Sequence, residues 1–158
     1  MCISKEILSL RKVNKKDESL LFNWANDSDV REWSFNKKVI TLDEHKEWFK
    51  QKFSDENVLI WILEDKNMPA GMVRLEKEGK RILLNYLIAP QSRGKKLASK
   101  MLYIAMKELK KYWKNVKVLA YTLPENIASI KSLENAGFYL DGSSAEKNCY
   151  VFNIEEKQ

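Results

Sequence analysis

Apolar residues along this chain follow two spacings, which mark out the elements that we predict. Alternating or continuous apolar runs, typical of strands, occupy residues 7–13, 58–63, 70–76, 81–88, 116–121, 138–140 and 148–154. Apolar residues at intervals of three and four, typical of one helix face, occupy residues 20–25, 42–53, 98–109 and 127–133. The third of these helices is predicted to begin near Gly94. This mixture predicts an α/β fold.

The connections predict the order of the sheet. Residues 78–80 read Glu-Gly-Lys, a hairpin turn, so strands 70–76 and 81–88 should pair antiparallel. A long helix separates strand 81–88 from strand 116–121, which predicts a parallel pair with a right-handed crossover. The last two strands should form a closing hairpin. The sheet is therefore expected to be mixed and mostly antiparallel.

The helix ends carry their own predictions. Thr41 and Glu44 have the spacing of a capping box. Asp17 and Asn126 are of the residue types that cap helix N-termini, and each precedes a predicted helix. Gly137 stands where the last helix should end in a left-handed conformation.

The composition predicts one folded domain over residues 1–158. The chain is 44% apolar, with 3 Pro, 5 Gly and neither a repeat nor a low-complexity tract. Cys2 and Cys149 lie far apart without metal-ligand spacing, so we expect no metal site. The chain shows neither a secretory leader pattern nor an apolar run of membrane-spanning length. We therefore expect a soluble, cytoplasmic protein.

The charge favours anionic partners. The formal net charge is +6 and the pI is about 9.2. The lysines are scattered along helix faces without a nucleic-acid reading motif, so we do not expect nucleic-acid binding, and a small basic RNA-associated domain stays an alternative. A polyanionic cofactor or a nucleotide substrate accounts for the charge equally well.

A basic loop, residues 93–96, joins strand 81–88 to the helix predicted after it. Arg93, Lys95 and Lys96 place cations near the positive end of the helix dipole, where each costs about 0.3–1 kcal/mol. Free backbone N–H groups and Gly94 complete a surface that suits a phosphate or pyrophosphate. The alternative is that these side chains simply point into water.

Two blocks of the chain resemble the GNAT superfamily of N-acetyltransferases. Residues 93–98 (RGKKLA) are similar to that family's acetyl-CoA loop, Arg/Gln-x-x-Gly-x-Gly/Ala, with Lys96 in place of the first Gly. Residues 126–138 (NIASIKSLENAGF) are similar to its later helix. The resemblance covers roughly residues 58–154. It implies a single-domain GNAT fold, with a twisted sheet of about six to seven strands flanked by about four helices.

The resemblance implies acetyl-CoA as the cofactor. Backbone N–H groups of residues 95–98 would hold the pyrophosphate, Ile88 would pair with the pantetheine arm, and Asn126 and Ser129 would flank the thiol. The implied cofactor-binding residues are Ile88, Arg93, Gly94, Lys95, Lys96, Leu97, Ala98, Asn126 and Ser129. The chain is thus predicted to acetylate a primary amine.

The general acid and base that many members of the family use are missing. Leu133 stands where a Tyr usually protonates the thiolate, and Leu83 stands where a Glu usually acts as base. The candidate catalytic residues that remain are Tyr86, Glu76, His45 and Ser132. For His45, the alternative is a half-buried hydrogen bond to a backbone carbonyl.

A looser resemblance narrows the acceptor. Residues 22–27, 30–31 and 44–49 look like the amino-sugar-nucleotide N-acetyltransferases of nonulosonic (pseudaminic-type) acid synthesis, which serve flagellin glycosylation. An anionic nucleotide sugar would also suit the basic charge. The predicted substrate-binding residues are Arg31, Trp33, His45, Trp48 and Arg74.

Several alternatives stay open at this point. Trp48 fits the core and Arg31 the surface equally well, and Arg74 and Glu76 share a strand face that is either a cleft wall or a solvated edge. The block at 126–138 also resembles the branch that acts on ribosomal-protein N-termini. Acceptors of other kinds are a protein N-terminus, a polyamine or an aminoglycoside. A non-catalytic acetyl-CoA-binding module is a further alternative, and a second copy of the chain is a candidate partner.

Overall fold

The computed structural model describes residues 7–155, so Cys2 lies outside the described residues. Within them, seven strands form one sheet in the order β1-β2-β3-β4-β5-β7-β6. The strands are β1 (Leu8–Lys12), β2 (Val58–Asp65), β3 (Met68–Glu78), β4 (Arg81–Ile88), β5 (Val116–Thr122), β6 (Tyr139–Ser143) and β7 (Asn148–Ile154). β4 and β5 run parallel and the other neighbouring pairs antiparallel, which confirms the predicted mixed sheet.

Helices cover both faces of this sheet. They are α1 (Glu18–Ala25), α2 (Ser28–Glu32), α3 (Leu42–Ser54), α4 (Leu97–Leu109) and α5 (Ile127–Asn135). α4 and α5 pack on the larger hydrophobic core, and α1 and α3 pack on a smaller core on the other face. Between residues 7 and 155, no helix combines the length and the apolar character needed to cross a bilayer.

The apolar run in β2 is covered on both faces, as its pattern predicts. Trp61 and Leu63 belong to the core under α4 and α5, whereas Ile60 and Ile62 belong to the core under α1 and α3. Ile62 and Leu63 are fully buried. A central strand of this kind anchors both helical layers.

β4 and β5 separate after a short ladder. Their parallel pairing links Arg81 to Lys117, Ile82 to Val118 and Leu83 to Leu119, and ends there. β4 continues along β3 to Ile88, and β5 continues along β7 to Thr122. The facing edges of the two strands therefore diverge, leaving backbone groups that a bound ligand can satisfy.

Two of the predicted helix caps are confirmed. The Thr41 hydroxyl accepts from the Glu44 N–H at 3.2 Å, and the Glu44 carboxylate accepts from the Thr41 N–H at 3.2 Å. The Asn126 side chain accepts from the Ser129 N–H at 3.2 Å and caps α5. Gly137 has φ +98°, the predicted left-handed exit from that helix.

Asp17 stands at the predicted N-cap position of α1, but its side chain does not cap the helix. The Asp17 carboxylate makes no capping bond to α1. It instead accepts from the Asn14 N–H at 2.8 Å and forms an ion pair with Arg11 at 2.8 Å. Burial explains the difference, because leaving a buried carboxylate without a charged partner costs more free energy than leaving a helix N-terminus without a side-chain cap.

Helix α4 begins at Leu97 rather than near Gly94. Gly94 has φ +80° and Lys96 has φ +58°, so both lie in the left-handed region and the right-handed helix starts only after them. The basic loop therefore precedes α4 and turns the chain sharply into it.

Candidate active site

A cleft of about 490 Å³ opens where β4 and β5 diverge. It is lined by residues 84–88 of β4 and 120–122 of β5, and by residues drawn from 92–98, 126–132 and 29–35. The cleft thus combines the basic loop, the start of α5 and the segment around α2. These segments are far apart in sequence and meet only in the folded chain.

The basic loop and α4 form an anion-binding corner of the cleft. The first turn of a helix leaves N–H groups without intrahelical partners, and no side-chain hydrogen bond caps α4. Gly94, Lys96, Leu97 and Ala98 line the cleft here. Gly94 has open space where a side chain would stand, so a ligand can approach its backbone. This geometry suits a phosphate ester or pyrophosphate.

Lys96 occupies a backbone conformation that favours glycine. We expect Lys96→Gly to leave the melting temperature unchanged or raised, because a non-glycine residue in the left-handed region costs roughly 1–2 kcal/mol. Loss of the ammonium should weaken coenzyme A binding by at least about 10-fold, because one charge-assisted contact contributes about 1.5 kcal/mol or more. Calorimetric titration and thermal melting of the same samples check both effects. Lys110→Ala, at the other end of α4, is the control for net charge.

The other two cations of the loop are placed differently. Lys95 is exposed and does not line the cleft. Arg93 lines the cleft, but its guanidinium donates to the carboxylates of Asp27 at 2.6 Å and Asp29 at 2.9 Å. The resemblance implied a cofactor ligand at Arg93, and the structure pairs that side chain with the segment around α2.

Tyr86 and Ser129 form a hydroxyl pair inside the cleft. The Tyr86 hydroxyl on β4 shares a 2.5 Å hydrogen bond with Ser129 Oγ in the first turn of α5. Burial raises the pKa of Tyr86 to about 12, and the bond with Ser129 opposes that rise only in part. The phenol therefore holds its proton at neutral pH and can donate it.

Ser132 and Thr122 also line the cleft. The Ser132 hydroxyl lines the cleft and donates to the Ala128 carbonyl at 2.9 Å, a common intrahelical bond. Thr122 also lines the cleft, and its buried hydroxyl has no hydrogen-bond partner. A buried polar group without a partner in a ligand cleft indicates a ligand contact.

His45, predicted as a catalytic and substrate-binding residue, does not line the cleft. It is 2% exposed, and its Nε2 lies 2.8 Å from the Glu18 carbonyl oxygen. Its ring stacks on Trp48 with centroids 5.6 Å apart. His45 therefore joins α3 to α1, the structural alternative considered for it, and we assign it no part in catalysis.

Glu76 and Arg74 also lie away from the cleft. Both face α3, where Glu76 forms an ion pair with Lys52 and the Arg74 guanidinium lies 5.0 Å from the Trp48 ring centroid. Arg74 also pairs with Glu76 at 3.3 Å. The strand pattern gave their shared face correctly, but that face packs on a helix. The catalytic role predicted for Glu76 and the substrate roles predicted for Arg74 and Trp48 have no support in this geometry.

The remaining two predicted substrate residues have different places. Trp33 lines the cleft and is 40% exposed. Arg31 does not line the cleft, and its guanidinium donates to the carbonyls of Ala25 at 2.7 Å, Asn36 at 3.0 Å and Lys38 at 3.2 Å. Arg31 thus holds the loop that follows α2 and does not face the cleft.

Some cleft residues were not predicted from the sequence. They are Asp29, Phe35, Asn85, Tyr121 and Thr122. Phe35 follows Trp33 by two residues, and Tyr121 and Asn85 lie on the diverging strands. These positions meet in one cleft because β4 separates from β5. No local sequence pattern indicates that separation, so the sequence did not predict these residues.

Between residues 8 and 139 the chain matches the family described as the acetyltransferase (GNAT) domain. The chain belongs to the GNAT acetyltransferase family. A search of curated proteins found no match. Among residues 7–155 of this acetyltransferase, no group of His, Cys, Asp or Glu side chains is placed to hold a metal ion.

Solved structures share the fold of this GNAT acetyltransferase. Spermidine N-acetyltransferase from Vibrio cholerae, in complex with CoA and spermine, is 19% identical with a TM-score of 0.78, covering 91% of this chain and 92% of that one. The aminoglycoside acetyltransferase AAC(6')-Ib, with ribostamycin and coenzyme A, is 20% identical with a TM-score of 0.78, covering 93% of each chain. A domain from Methanocaldococcus jannaschii is 25% identical with a TM-score of 0.81, covering 95% of this chain and 100% of that one.

This GNAT acetyltransferase uses acetyl-CoA, which supplies an acetyl group activated as a thioester. The described residues fit that cofactor in three places. The start of α4 offers backbone N–H groups to a pyrophosphate, and the edge of β4 from Leu84 to Ile88 is open to the pantetheine arm. The buried Thr122 hydroxyl lacks a partner that a carbonyl oxygen of the cofactor would provide.

Proposed function

We propose that this enzyme transfers acetyl from acetyl-CoA to the primary amine of an amino-sugar nucleotide, such as a UDP-4-amino-4,6-dideoxy sugar. The observation that carries the proposal is the chemistry of the cleft wall formed by α2 and the loop after it. That wall presents aromatic surface from Trp33 and Phe35, which are 40% and 55% exposed. Exposed rings in a cleft suit stacking on a nucleobase.

The charges of the cleft favour a neutral or anionic acceptor over a polycation. Among its described lining residues Asp29 is the one acidic side chain, and it forms an ion pair with Arg93. On another wall, Lys147 Nζ lies 4.4 Å from the ring centroid of Tyr121, which lines the cleft. A polyamine or aminoglycoside would find no uncompensated carboxylate on these walls, whereas a diphosphate would find a cation.

In the proposed reaction Tyr86 is the general acid. Tyr86 donates its proton to the departing thiolate as the amine nitrogen bonds to the acetyl carbon and the carbon–sulfur bond breaks. Water takes the proton that the amine loses. Water then returns a proton to Tyr86 through the Ser129 hydroxyl, which is hydrogen-bonded to the Tyr86 hydroxyl at 2.5 Å. Tyr86 thereby takes the role of the family's usual Tyr, whose position holds the buried Leu133.

Thiol release from acetyl-CoA, measured separately with amines of different classes, tests the proposal. The panel is a UDP-4-amino-4,6-dideoxy sugar, spermidine, kanamycin and a short peptide with a free N-terminus. We expect the highest kcat/KM with the nucleotide sugar. A higher kcat/KM with spermidine, kanamycin or the peptide would overturn the acceptor assignment. Cofactor binding without turnover on any amine would instead indicate a non-catalytic module.

The aromatic wall, formed by Trp33 and Phe35, gives a prediction for the KM of the acceptor. Trp33→Ala should raise the KM for the nucleotide sugar at least about 5-fold, because stacking on a base is worth about 1–3 kcal/mol by alanine substitution. The KM for acetyl-CoA should change less than about 2-fold, since this ring faces the acceptor. Initial rates with each substrate varied in turn check both values. Tyr103→Ala removes an exposed ring from α4, outside the cleft, and is the control.

A further inference from the structure

Arg93 connects two walls of the cleft. It belongs to the loop that precedes α4, yet its guanidinium donates to carboxylates at the start of α2. The two N···O distances are 2.6 Å to Asp27 and 2.9 Å to Asp29. Charge-assisted hydrogen bonds of this length are directional, so they set the position of one wall relative to the other.

Asp27 links this ion pair to the backbone of α2. Its Oδ2 also accepts from the N–H groups of Asp29 at 3.2 Å and Val30 at 3.3 Å, which makes it the N-cap of the helix. The hydrogen bond from Arg93 is the main cause that lowers the pKa of Asp27. The Asp27 carboxylate thus accepts hydrogen bonds both from the first N–H groups of α2 and from the Arg93 guanidinium.

Side-chain hydrogen bonds tie the segment after α2 to the residues that precede that helix. Arg31 donates to three backbone carbonyls on both sides of the helix. The Asn26 side chain accepts from the Ile40 N–H and donates to the Ile40 carbonyl, both at 2.8 Å. Residues 25–40, which include Trp33 and Phe35, therefore form one hydrogen-bonded unit that Arg93 ties to the cofactor loop.

We propose that Arg93 is a positioning residue for the acceptor, acting through Asp27 and Asp29 to hold the aromatic wall in place, and not a ligand of the cofactor phosphates. Its side chain is 33% exposed, so water screens the ion pair only in part. The kinetic readout rests on the acetyl transfer proposed above. The measurement of coenzyme A binding does not depend on that proposed reaction.

The test compares three substitutions with one control. Arg93→Met removes the cation, Asp29→Asn removes one of its partners, and Asp27→Asn removes the other while keeping a residue type that caps helices. We expect each to raise the acceptor KM, about 10-fold for Arg93→Met, through loss of a charge-assisted contact. The Kd for coenzyme A should change less than about 2-fold in every case. Lys111→Met is the control, because it breaks an exposed ion pair between Glu108 of α4 and Lys111, which follows that helix.

Two outcomes would overturn the proposal. Weaker coenzyme A binding in Arg93→Met by about 10-fold, with both Asp variants unchanged, would make Arg93 a phosphate ligand. An unchanged acceptor KM in all three variants would remove any positioning role. Arg93→Lys should recover part of the acceptor affinity, a result that a purely steric role would not give.

Hydrogen exchange keeps the inference testable if no acceptor is turned over. In Arg93→Met, amides of residues 28–35 should exchange faster while those of α4 stay protected. Equal exchange in the two proteins would contradict the tie between the walls. Absence of turnover in wild type would count against the proposed acceptor, and these exchange rates would still decide the role of Arg93.

Discussion

Replacing Tyr86 with phenylalanine is expected to lower kcat by about 10²- to 10⁴-fold, the usual contribution of a positioned general acid. The change removes the one hydroxyl that pairs with Ser129 in the cleft and keeps the ring that packs against the core. The Kd for coenzyme A and the melting temperature should change little. Stopped-flow or steady-state thiol release measures kcat. Retention of more than about a third of wild-type kcat would exclude Tyr86 as the acid.

The pH dependence of the wild-type enzyme is a second readout of the same group. Burial raises the pKa of Tyr86 from 10.0 to about 12, so the acid stays protonated through the whole range below pH 10. Tyr86 should therefore cause no alkaline fall in kcat below pH 10. Because the folded-state pKa exceeds the unfolded one, its contribution to stability is present below pH 10 and is lost as the pH rises through 12. Tyr103→Phe, an exposed tyrosine on α4, is the matched control.

Ala98→Glu is expected to weaken coenzyme A binding by roughly 100-fold. Ala98 lies in the first turn of α4 and lines the cleft where the pyrophosphate is expected. A carboxylate there would repel a phosphate 5 Å away by about 3 kcal/mol at an effective dielectric of 20. The fold should survive, because a negative charge near a helix N-terminus stabilises it by about 0.3–1 kcal/mol. Isothermal titration with coenzyme A measures the effect.

Ser99→Glu is the matched control for this prediction. Ser99 is the next residue of α4 and lines a separate recess with Tyr103, outside the cleft. The variant carries the same charge near the same helix end but faces away from the cofactor. Coenzyme A affinity within about 3-fold of wild type is expected. Equal losses in the two variants would mean that net charge, and not the corner formed by α4, controls binding.

The positions of the strands and helices along the chain could be predicted from local patterns, because each element depends on residues close in sequence. The capping box at Thr41, the cap at Asn126 and the hairpin before β4 follow from such short-range rules. The start of α4 could not be predicted this way. A lysine with positive φ at position 96 does not show in an apolar pattern, since the next turns are regular.

For the site too, residues close in sequence could be predicted and residues far apart could not. The anion-binding corner is contiguous in sequence, and a motif resemblance was enough to predict it. The Tyr86–Ser129 pair joins residues 43 positions apart, and only the divergence of β4 from β5 brings them together. His45 and Glu76 do not line the cleft, because His45 Nε2 lies 2.8 Å from a backbone carbonyl oxygen of α1 and Glu76 forms an ion pair with Lys52 of α3. Whether the chain forms a homodimer stays a prediction.

The measurement that tests the proposed acceptor most directly is an internal competition read by mass spectrometry. One reaction contains acetyl-CoA and equal, limiting amounts of a UDP-4-amino-4,6-dideoxy sugar, spermidine, kanamycin and a peptide with a free N-terminus. The ratio of acetylated products early in the reaction gives the ratio of kcat/KM values. We expect the acetylated nucleotide sugar to exceed every other product by at least about 100-fold. A mixture dominated by acetylated spermidine, kanamycin or peptide would contradict the proposed function.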